Sequence, residues 1–317
     1  MRAFIPLLAG SCLLAMSLSA GAEACRYSAP RKAEIDAAGL QSVTVQIGPD
    51  DLTIHGVPGL AKIVVRGTAC ASNPKWLRDV QVETARQGDA ASVIARDRRH
   101  DIVFSLFGSS YAYLKLDVSV PRSLAVKLRE GSGDASVAQV AALDATLGSG
   151  DLKVDGVAGA FGLGVGSGDA VARDVGSLAI SALGSGDVRV DTVHGDAHVG
   201  SVGSGDLKLA DVKGDVSLGS LASGDVKLSG VGGSVKADSV GSGDLIVRDV
   251  TGDVSVGAVA SGSVSIARAG GNVHAGSVGS GDFDANVVGG NFSVDALGSG
   301  GASHRNVKGK VSVPHED

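Results

Sequence analysis

One residue type recurs at regular spacing and could do chemistry: an aspartate that ends a Gly-Ser-Gly-Asp tetrad or, in one case, an Ala-Ser-Gly-Asp copy of it. These carboxylates are Asp134, Asp151, Asp169, Asp187, Asp206, Asp225, Asp244 and Asp282. If the tetrads stack as neighbouring strands do, successive carboxylates lie ~4.8 Å apart, and each pair repels by about 0.9 kcal/mol in water. Either a bound cation or nearby hydrogen-bond donors must therefore offset this repulsion.

A row of Ca²⁺ sites is one explanation of the aspartate column. Its candidate ligands are Asp187, Asp206, Asp225 and Asp244. Calcium-binding repeats follow a Gly-Gly-x-Gly-x-Asp pattern, whereas here the Gly and Asp are adjacent, so the spacing does not match. The alternative is turn capping, in which each carboxylate accepts N–H groups of its own glycine turn and nearby lysines and arginines supply countercharge. We expect no metal and no other cofactor, and we keep calcium as the alternative.

The other reactive side chains form no recognisable catalytic pattern. His198 and His274 share a repeat position, but four repeats separate them by about 19 Å, so they cannot share a metal. The serines in glycine-rich surroundings belong to the repeat itself, and the repeats contain no long insertion that could build a pocket. The sequence therefore predicts no catalytic residues and a protein that is not an enzyme.

Short strands in a tandem repeat position these side chains. The tetrads, with their degenerate copies, start 17, 18 and 18 residues apart and then 19 residues apart six times. After each Asp-like position apolar residues fall at +1, +3 and +6, as in Leu207, Leu209 and Val212. The period-two alternation indicates strands, and the fixed repeat indicates stacked coils. The predicted fold is all-β: a parallel β-solenoid (β-helix) of about ten ~19-residue coils with a β-rich N-terminal cap.

Residues 1–24 have the pattern of a signal peptide, with a basic start, an apolar stretch at 3–18 and small-residue cleavage sites. No later apolar run is long enough for a transmembrane helix. Cys25 and Cys70 remain after cleavage, which predicts a disulfide in an oxidising compartment. Lipidation of Cys25 is an alternative, although residues 22–24 fit a lipobox poorly. We expect an exported protein, either periplasmic or secreted to the cell surface.

Three segments follow the signal peptide. Residues 25–125 are the predicted cap, with one short helix; residues 126–313 are the repeat solenoid; residues 314–317 are a tail. All prolines except Pro314 lie at or before Pro121. The solenoid therefore contains none, as interior strand ladders require, because proline has no backbone N–H to donate.

Aromatic residues of the cap alternate along a predicted hairpin. They are Phe104, Phe107, Tyr111 and Tyr113. Such a face either packs into the core of the cap or, if it is exposed, forms a contact patch for sugars or partner proteins. We keep both interpretations, and take these four residues as the candidate contact patch.

The chain resembles a known bacterial family in the order of its parts. A signal peptide, a lead-in strand at residues 114–121 and Gly-Ser-Gly-Asp-x-x-Val coils follow one another, and residues 64–69 also match the lead-in. This order resembles the "putative adhesin" family of β-strand repeat proteins, related to head GIN adhesin domains, over residues 42–313. The resemblance implies a repeat fold and an adhesin-like role in a family of unknown function. It brings no catalytic residues.

These observations lead to one main hypothesis about function. The formal net charge of −6 argues against nucleic acid as a partner. We expect a non-enzymatic, exported β-solenoid that is adhesin-like or acts as a structural or interaction protein of the cell envelope, with an envelope protein or a glycan as partner. The alternative is a glycan- or Ca²⁺-binding module that uses the Asp/Lys face. A carbohydrate-active enzyme is the less favoured third hypothesis, because the coils are uniform.

Overall fold

The computed structural model describes residues 25–97 and 111–314. Within them the chain forms 26 β-strands and one 3-10 helix. Strands from successive coils pair in parallel at the repeat spacing, as where Leu207 lies beside Val226. The prediction of an all-β parallel solenoid is confirmed.

The first half of every coil contributes to one sheet, sheet A. In order of pairing it contains β1 (Tyr27–Asp36), β4 (Lys62–Ala71), β7 (Ala112–Pro121), β3 (Asp51–Val57), β9 (Ala135–Val140), the first halves of β11 (Leu152–Val165) and β12 (Ala170–Leu183), β13 (Val188–Val193), β15 (Leu207–Val212), β17 (Val226–Val231), β19 (Asp244–Val250), β21 (Ser263–Ala269), β23 (Asp282–Val288) and β25 (Gly301–Val307).

The second half of every coil contributes to the opposite sheet, sheet B. In order of pairing it contains β5 (Val80–Gln87), β6 (Ala90–Asp97), β2 (Ser42–Ile47), β8 (Ala125–Glu130), β10 (Ala142–Leu147), the second halves of β11 and β12, β14 (Ala197–Val202), β16 (Val216–Leu221), β18 (Val235–Val240), β20 (Val254–Val259), β22 (Val273–Val278), β24 (Phe292–Leu297) and β26 (Val311–Ser312).

The core lies between the two sheets and is built from the +1, +3 and +6 positions. Leu207, Leu209 and Val212 are buried, as are their counterparts along the stack. The step from +3 to +6 depends on the residue at +5, which adopts a left-handed conformation in sheet A, as Asp211 does at φ 54°. This bend turns the +6 side chain back into the core. Near the far end Phe283 and Phe292 fill the core, with ring centroids 5.8 Å apart.

The cap and the stack are interleaved. β2 and β3 already form a first coil, and the chain returns to it after β7, because β8 pairs in parallel with β2 and β9 with β3. The antiparallel strands β1 and β4 extend sheet A, and the antiparallel hairpin β5–β6 extends sheet B. These strands cover the edges that the first coil would otherwise expose to other chains.

Several local predictions for the cap can be compared with the structure. The predicted disulfide is present: Cys25 and Cys70 are joined, with Cα atoms 5.3 Å apart, so the start of β1 is tied to β4. Within the predicted cap, the one helix among the described residues is a 3-10 helix at Trp76–Arg78. No helix among residues 25–97 and 111–314 is long and apolar enough to cross a membrane. Phe104 and Phe107 of the predicted contact patch lie outside the described residues.

Candidate functional site

A cleft of about 750 Å³ opens on the outer face of sheet A, where the cap strands meet the first coils. Its lining comes from six neighbouring strands, β1, β4, β7, β3, β9 and β11. We call it the junction cleft. Because antiparallel cap strands here join a parallel stack, this junction occurs at one place within residues 25–97 and 111–314 and is not repeated from coil to coil.

Strand register places one polar residue from each strand in a single row across the floor of the junction cleft. Each residue is the direct neighbour of the next, and the row is Lys32, Arg66, Asp117, Thr53, Ser136 and Lys153. Side chains on directly opposed strand positions project from the same face of a sheet. The row therefore presents two adjacent cations at one end, a carboxylate and two hydroxyls in the middle, and a third cation at the other end.

The carboxylates of the junction cleft are occupied by contacts within the protein. Asp51 faces Lys115, with Oδ2 3.7 Å from Nζ, and Asp117 faces His55 at 3.7 Å. The Oδ1 atoms of Asp134 and Asp151 accept backbone N–H groups of the next coil at 3.2 and 3.4 Å. The negative charge in the cleft is thus largely directed at internal partners.

The cations at the β1–β4 end of the cleft are not compensated in this way. Among the described residues neither Lys32 nor Arg66 forms an ion pair. Asp117, the direct neighbour of Arg66 in the row, faces His55. Glu34, on the same strand as Lys32, is held by Lys62, whose Nζ lies 2.8 Å from Oε2. That hydrogen bond and charge, with a smaller contribution from Arg66, lower the pKa of Glu34. An excess of positive charge therefore remains at this end.

Two residues of the predicted contact patch lie near the cleft, one on β7 and one immediately before it. Tyr111 and Tyr113 are half-buried, with ring centroids 5.9 Å apart. The Nζ of Lys115 lies 5.8 Å from the centroid of the Tyr113 ring. The Tyr111 hydroxyl accepts the N–H of Arg26 at 3.1 Å. A tyrosine pair thus flanks the junction cleft, and the role of these residues as a contact patch stays a prediction.

The aspartates named as ligands in the calcium alternative form a ladder of hydrogen bonds along the rod. Oδ1 of Asp187 accepts the N–H of Asp206 at 3.2 Å, and Oδ1 of Asp206 accepts the N–H of Asp225 at 3.1 Å. Oδ1 of Asp244 likewise accepts the N–H of Ser263 at 3.2 Å. Each carboxylate therefore caps the turn of the next coil, whereas the sequence suggested its own turn.

A second ladder runs through the turns that precede the strands of sheet B. Each of these turns contains a pair such as Gly214-Asp215, with Ser or Asn in place of Asp in some coils. Oδ1 of Asp215 accepts the N–H of Ser234 at 2.7 Å, and the Ser234 hydroxyl accepts the N–H of Asp253 at 3.1 Å. Further along, Oδ1 of Asn272 accepts the N–H of Asn291 at 2.9 Å. Every member of this ladder supplies an acceptor oxygen, but only the aspartates among them carry a charge. In the part of the chain that the structure describes, no group of three or more His, Cys, Asp or Glu residues is placed to hold a metal ion.

Glu130 is a residue whose position sequence reasoning missed. Its side chain is only 5 % exposed and occupies a core ladder position, between Ile47 of one neighbouring strand and Leu147 of the other. The signal was present, because the residue before the tetrad is apolar in the following coils, as at Leu147 and Val165. Only the alignment of Glu130 with that apolar column could have revealed it.

Burial leaves the carboxyl group of Glu130 without hydrogen-bond partners and changes its pKa. Neither Oε atom has a hydrogen-bond partner among the described residues. Burial raises the pKa of Glu130 to about 7, and the nearby charge of Asp134 is the second cause. The backbone of Gly133 and of Gly148 acts in the opposite direction and lowers this pKa, but by less. A side chain in an apolar column without a partner opposes folding when it is ionised.

Sheet B brings together a serine, a histidine and an aspartate that the sequence did not associate. Nδ1 of His274 lies 3.0 Å from Oγ of Ser293, and Nε2 lies 3.5 Å from Oδ2 of Asp295. The same contact recurs between His198 and Ser217 at 2.7 Å, where glycine replaces the aspartate. The contact therefore follows from the 19-residue repeat, and none of the three residues lines the junction cleft.

Comparison with known proteins identifies one family model, described as Toastrack DUF4097, which matches residues 68–312. No curated protein matches the chain. Three of the matching solved structures are described as a "putative cell adhesion protein" from Clostridium sporogenes ATCC 15579 (8 % identity, TM-score 0.26, 91 % of this chain and 100 % of that one), a "putative adhesin" from Bacteroides fragilis NCTC 9343 (10 %, 0.27, 91 % and 98 %) and a "putative lipid binding protein" from Parabacteroides distasonis ATCC 8503 (16 %, 0.33, 89 % and 96 %). At such low TM-scores, what those proteins bind is not evidence for this chain.

Proposed function

The chain belongs to the Toastrack DUF4097 family, and from this premise we propose that it is an exported, non-enzymatic β-solenoid that acts as an adhesin-like interaction protein of the cell envelope. The observation that carries the proposal is the contrast between a uniform rod and one distinctive surface. Coil after coil repeats two strands of six or seven residues, as in β15 and β16, whereas the junction cleft occurs once. A rod with one such surface suits binding better than turnover.

Two features support export. Residues 1–24 have the basic start, apolar stretch and small-residue sites of a signal peptide. The disulfide between Cys25 and Cys70 is of a kind that persists in oxidising compartments such as the periplasm and the exterior. Together they favour the periplasm or the cell surface as the place where the solenoid acts.

The absence of catalysis is supported by the origin of the reactive-looking contacts. The Ser–His contact of sheet B arises twice from repeat spacing, at Ser217 and at Ser293. In the aspartate ladders, carboxylate oxygens accept backbone N–H groups, which is a structural role. These side chains therefore have explanations that require no substrate.

Cell fractionation with protease treatment of intact cells tests the proposal. We expect the mature chain in the envelope or the medium, and chemical crosslinking followed by pull-down should recover envelope partners. Cleavage by protease added to intact cells would support the adhesin-like form of the proposal, and protection in the periplasm would support an internal envelope role. Recovery of the full-length chain in the cytoplasm, with residues 1–24 retained, would overturn it.

A further inference from the structure

The junction cleft has an electrostatic asymmetry that its own residues do not satisfy. Lys32 and Arg66 are direct neighbours on antiparallel strands, which places their Cβ atoms about 4.5–5.5 Å apart. Like charges in directly opposed positions destabilise a sheet. Neither forms an ion pair within residues 25–97 and 111–314, and the adjacent Glu34 is paired with Lys62. An anion placed between the two side chains would remove this repulsion.

The rest of the row supplies hydrogen-bonding groups at regular intervals. Thr53 and Ser136 are direct neighbours in register, and Asp117 separates them from the cation pair. Thr68 adds a third hydroxyl to the lining of the cleft. Hydroxyl groups both donate and accept hydrogen bonds, so they match a ligand that is itself rich in hydroxyls. Neighbouring strands lie about 4.7–4.9 Å apart, so successive groups of the row are spaced by about this distance.

The size and openness of the site also restrict the ligand. A volume of about 750 Å³ falls within the range of small-molecule sites. Its walls carry four cations and four carboxylates, so a polar ligand meets charged partners there. Lys115, which lines the cleft, has its Nζ 5.8 Å from the centroid of the Tyr113 ring, so this aromatic ring stands beside the cleft.

We propose that the junction cleft binds an acidic saccharide, with the carboxylate or phosphate of the sugar on Lys32 and Arg66 and its hydroxyls on Thr53, Thr68 and Ser136. The guanidinium of Arg66 can hold an oxyanion through two parallel hydrogen bonds, and the ammonium of Lys32 adds a point charge. The inference rests on the proposed function, because an exported protein is one that meets envelope and surface glycans. It adds the chemical class of the ligand.

Binding to an array of saccharides tests the inference, with uronate-, sialate- and phosphate-bearing oligosaccharides each printed beside its uncharged parent. We expect the purified protein to bind charged members of these pairs and not their parents, and binding should weaken as NaCl is raised because the site is exposed. Titration of the best array ligand should then show at least a tenfold loss of affinity in the double variant Lys32→Ser/Arg66→Ser. Thr53→Val and Ser136→Ala should each reduce affinity severalfold.

A matched control separates the cleft from general surface charge. The double variant Lys208→Ser/Arg248→Ser removes two cations from the same sheet, on β15 and β19, far along the rod from the cleft. It should bind the ligand as the unmodified protein does, and circular dichroism should show the same β-structure in both double variants. Equal loss of binding in the two double variants would overturn the inference, since charge alone would then explain the affinity.

Two further outcomes would also overturn it. One is the absence of binding to every acidic saccharide at millimolar concentration. The other is equally strong binding, through Lys32 and Arg66, to vesicles of phosphatidylglycerol, which carry phosphate without a sugar ring. Each of these results would leave the proposed function intact if fractionation and pull-down place the protein among envelope partners, so the two ideas can fail separately.

Discussion

At the residue scale, the aspartate columns form hydrogen-bonded ladders, and countercharge is also present, as where Lys227 lies 3.7 Å from Asp225. Asp215 accepts a backbone N–H of the next coil. The same role is filled in other coils by uncharged side chains, those of Ser234, Asn272 and Asn291. An acceptor oxygen is therefore the common requirement. Aspartate meets it while also forming the tight turn, at the cost of modest repulsion between neighbouring carboxylates.

The variant Asp215→Ala tests this role. We expect it to lower the free energy of unfolding by about 1 kcal/mol, because the N–H of Ser234 loses its acceptor. Asp215→Asn keeps an acceptor and should stay within about 0.5 kcal/mol of the unmodified protein. Urea unfolding provides the measurement, and Asp238→Ala, which removes only an exposed ion pair with Lys236, is the control. Equal losses in Asp215→Asn and Asp215→Ala would contradict the acceptor role.

Glu130 gives the molecule a predicted pH dependence. Its pKa is about 7 in the folded state and about 4.5 in the unfolded chain, so the unfolded carboxyl ionises first as pH rises. Stability is therefore highest below pH 4.5 as far as this group is concerned, falls between pH 4.5 and 7, and is then constant. The loss amounts to about 3 kcal/mol across the window.

Two substitutions isolate this contribution. Glu130→Gln should flatten the difference in stability between pH 4.5 and 8, and Glu130→Leu should raise stability at pH 8, since Ile47 and Leu147 occupy the same column. Thermal unfolding at several pH values gives the comparison with the unmodified protein. If the unmodified protein and Glu130→Gln lose stability in parallel as pH rises, another group is responsible.

At the element scale, the tetrad turn depends on how closely successive coils approach. The third position of the tetrad is glycine in every copy, and a Cβ on Gly205 would lie 1.9 Å from the carbonyl oxygen of Gly186. The first position is more open, because a Cβ on Gly203 would lie 2.7 Å from its nearest atom and alanine occupies this position at Ala222 and Ala260. The two glycines of one turn therefore meet different constraints.

A matched pair of substitutions follows from this contrast. Gly205→Ala should lower the free energy of unfolding by about 3 kcal/mol or more, because backbone on both sides of the contact must move. Gly203→Ala, two residues earlier, should cost less than about 1 kcal/mol, as the natural alanines indicate. The urea concentrations at which the two variants are half unfolded provide the comparison. Similar costs at both positions would show that the coils do not pack as closely as the structure has them.

At the scale of the whole molecule, stability comes from stacking along the rod. One coil contacts only its neighbours, so each ladder of core side chains and each ladder of turn acceptors holds only if the next coil is in place. The cap strands β1 and β4 and the hairpin β5–β6 end both sheets at the N-terminal side, and β1 and β4 also provide part of the wall of the junction cleft. Folding of the cap and the presence of the cleft are thus linked.

Removal of divalent cations tests whether the rod needs metal. Because each aspartate of the ladders has a hydrogen-bond donor in the next coil, we expect EDTA to leave the melting temperature unchanged and added CaCl₂ to leave it unchanged as well. Differential scanning calorimetry in both conditions provides the check. A lower melting temperature on chelation would instead support calcium binding, with Asp187, Asp206, Asp225 and Asp244 as the ligands.

The sequence by itself determined the features that repeat locally. The period of the tetrads, the apolar positions +1, +3 and +6 and the absence of proline between Pro121 and Pro314 are enough to predict a parallel solenoid and its core. The Cys25–Cys70 disulfide followed from counting cysteines. These features depend on spacing within one coil, which the chain repeats about ten times, so each copy reinforces the same interpretation.

Other features depend on a single pairing between strands that are far apart in the sequence, and only the tertiary structure decided these. Lys32, Arg66 and Asp117 come from three strands well separated in sequence, and antiparallel pairing alone puts them in one row. Glu130 became a buried, unpartnered carboxylate because the chain leaves the first coil and returns to it, which places Glu130 beside Ile47. Pairing between distant strands leaves no period in the sequence. The rod could therefore be predicted from its repeat, whereas the cleft required the registers of the cap strands.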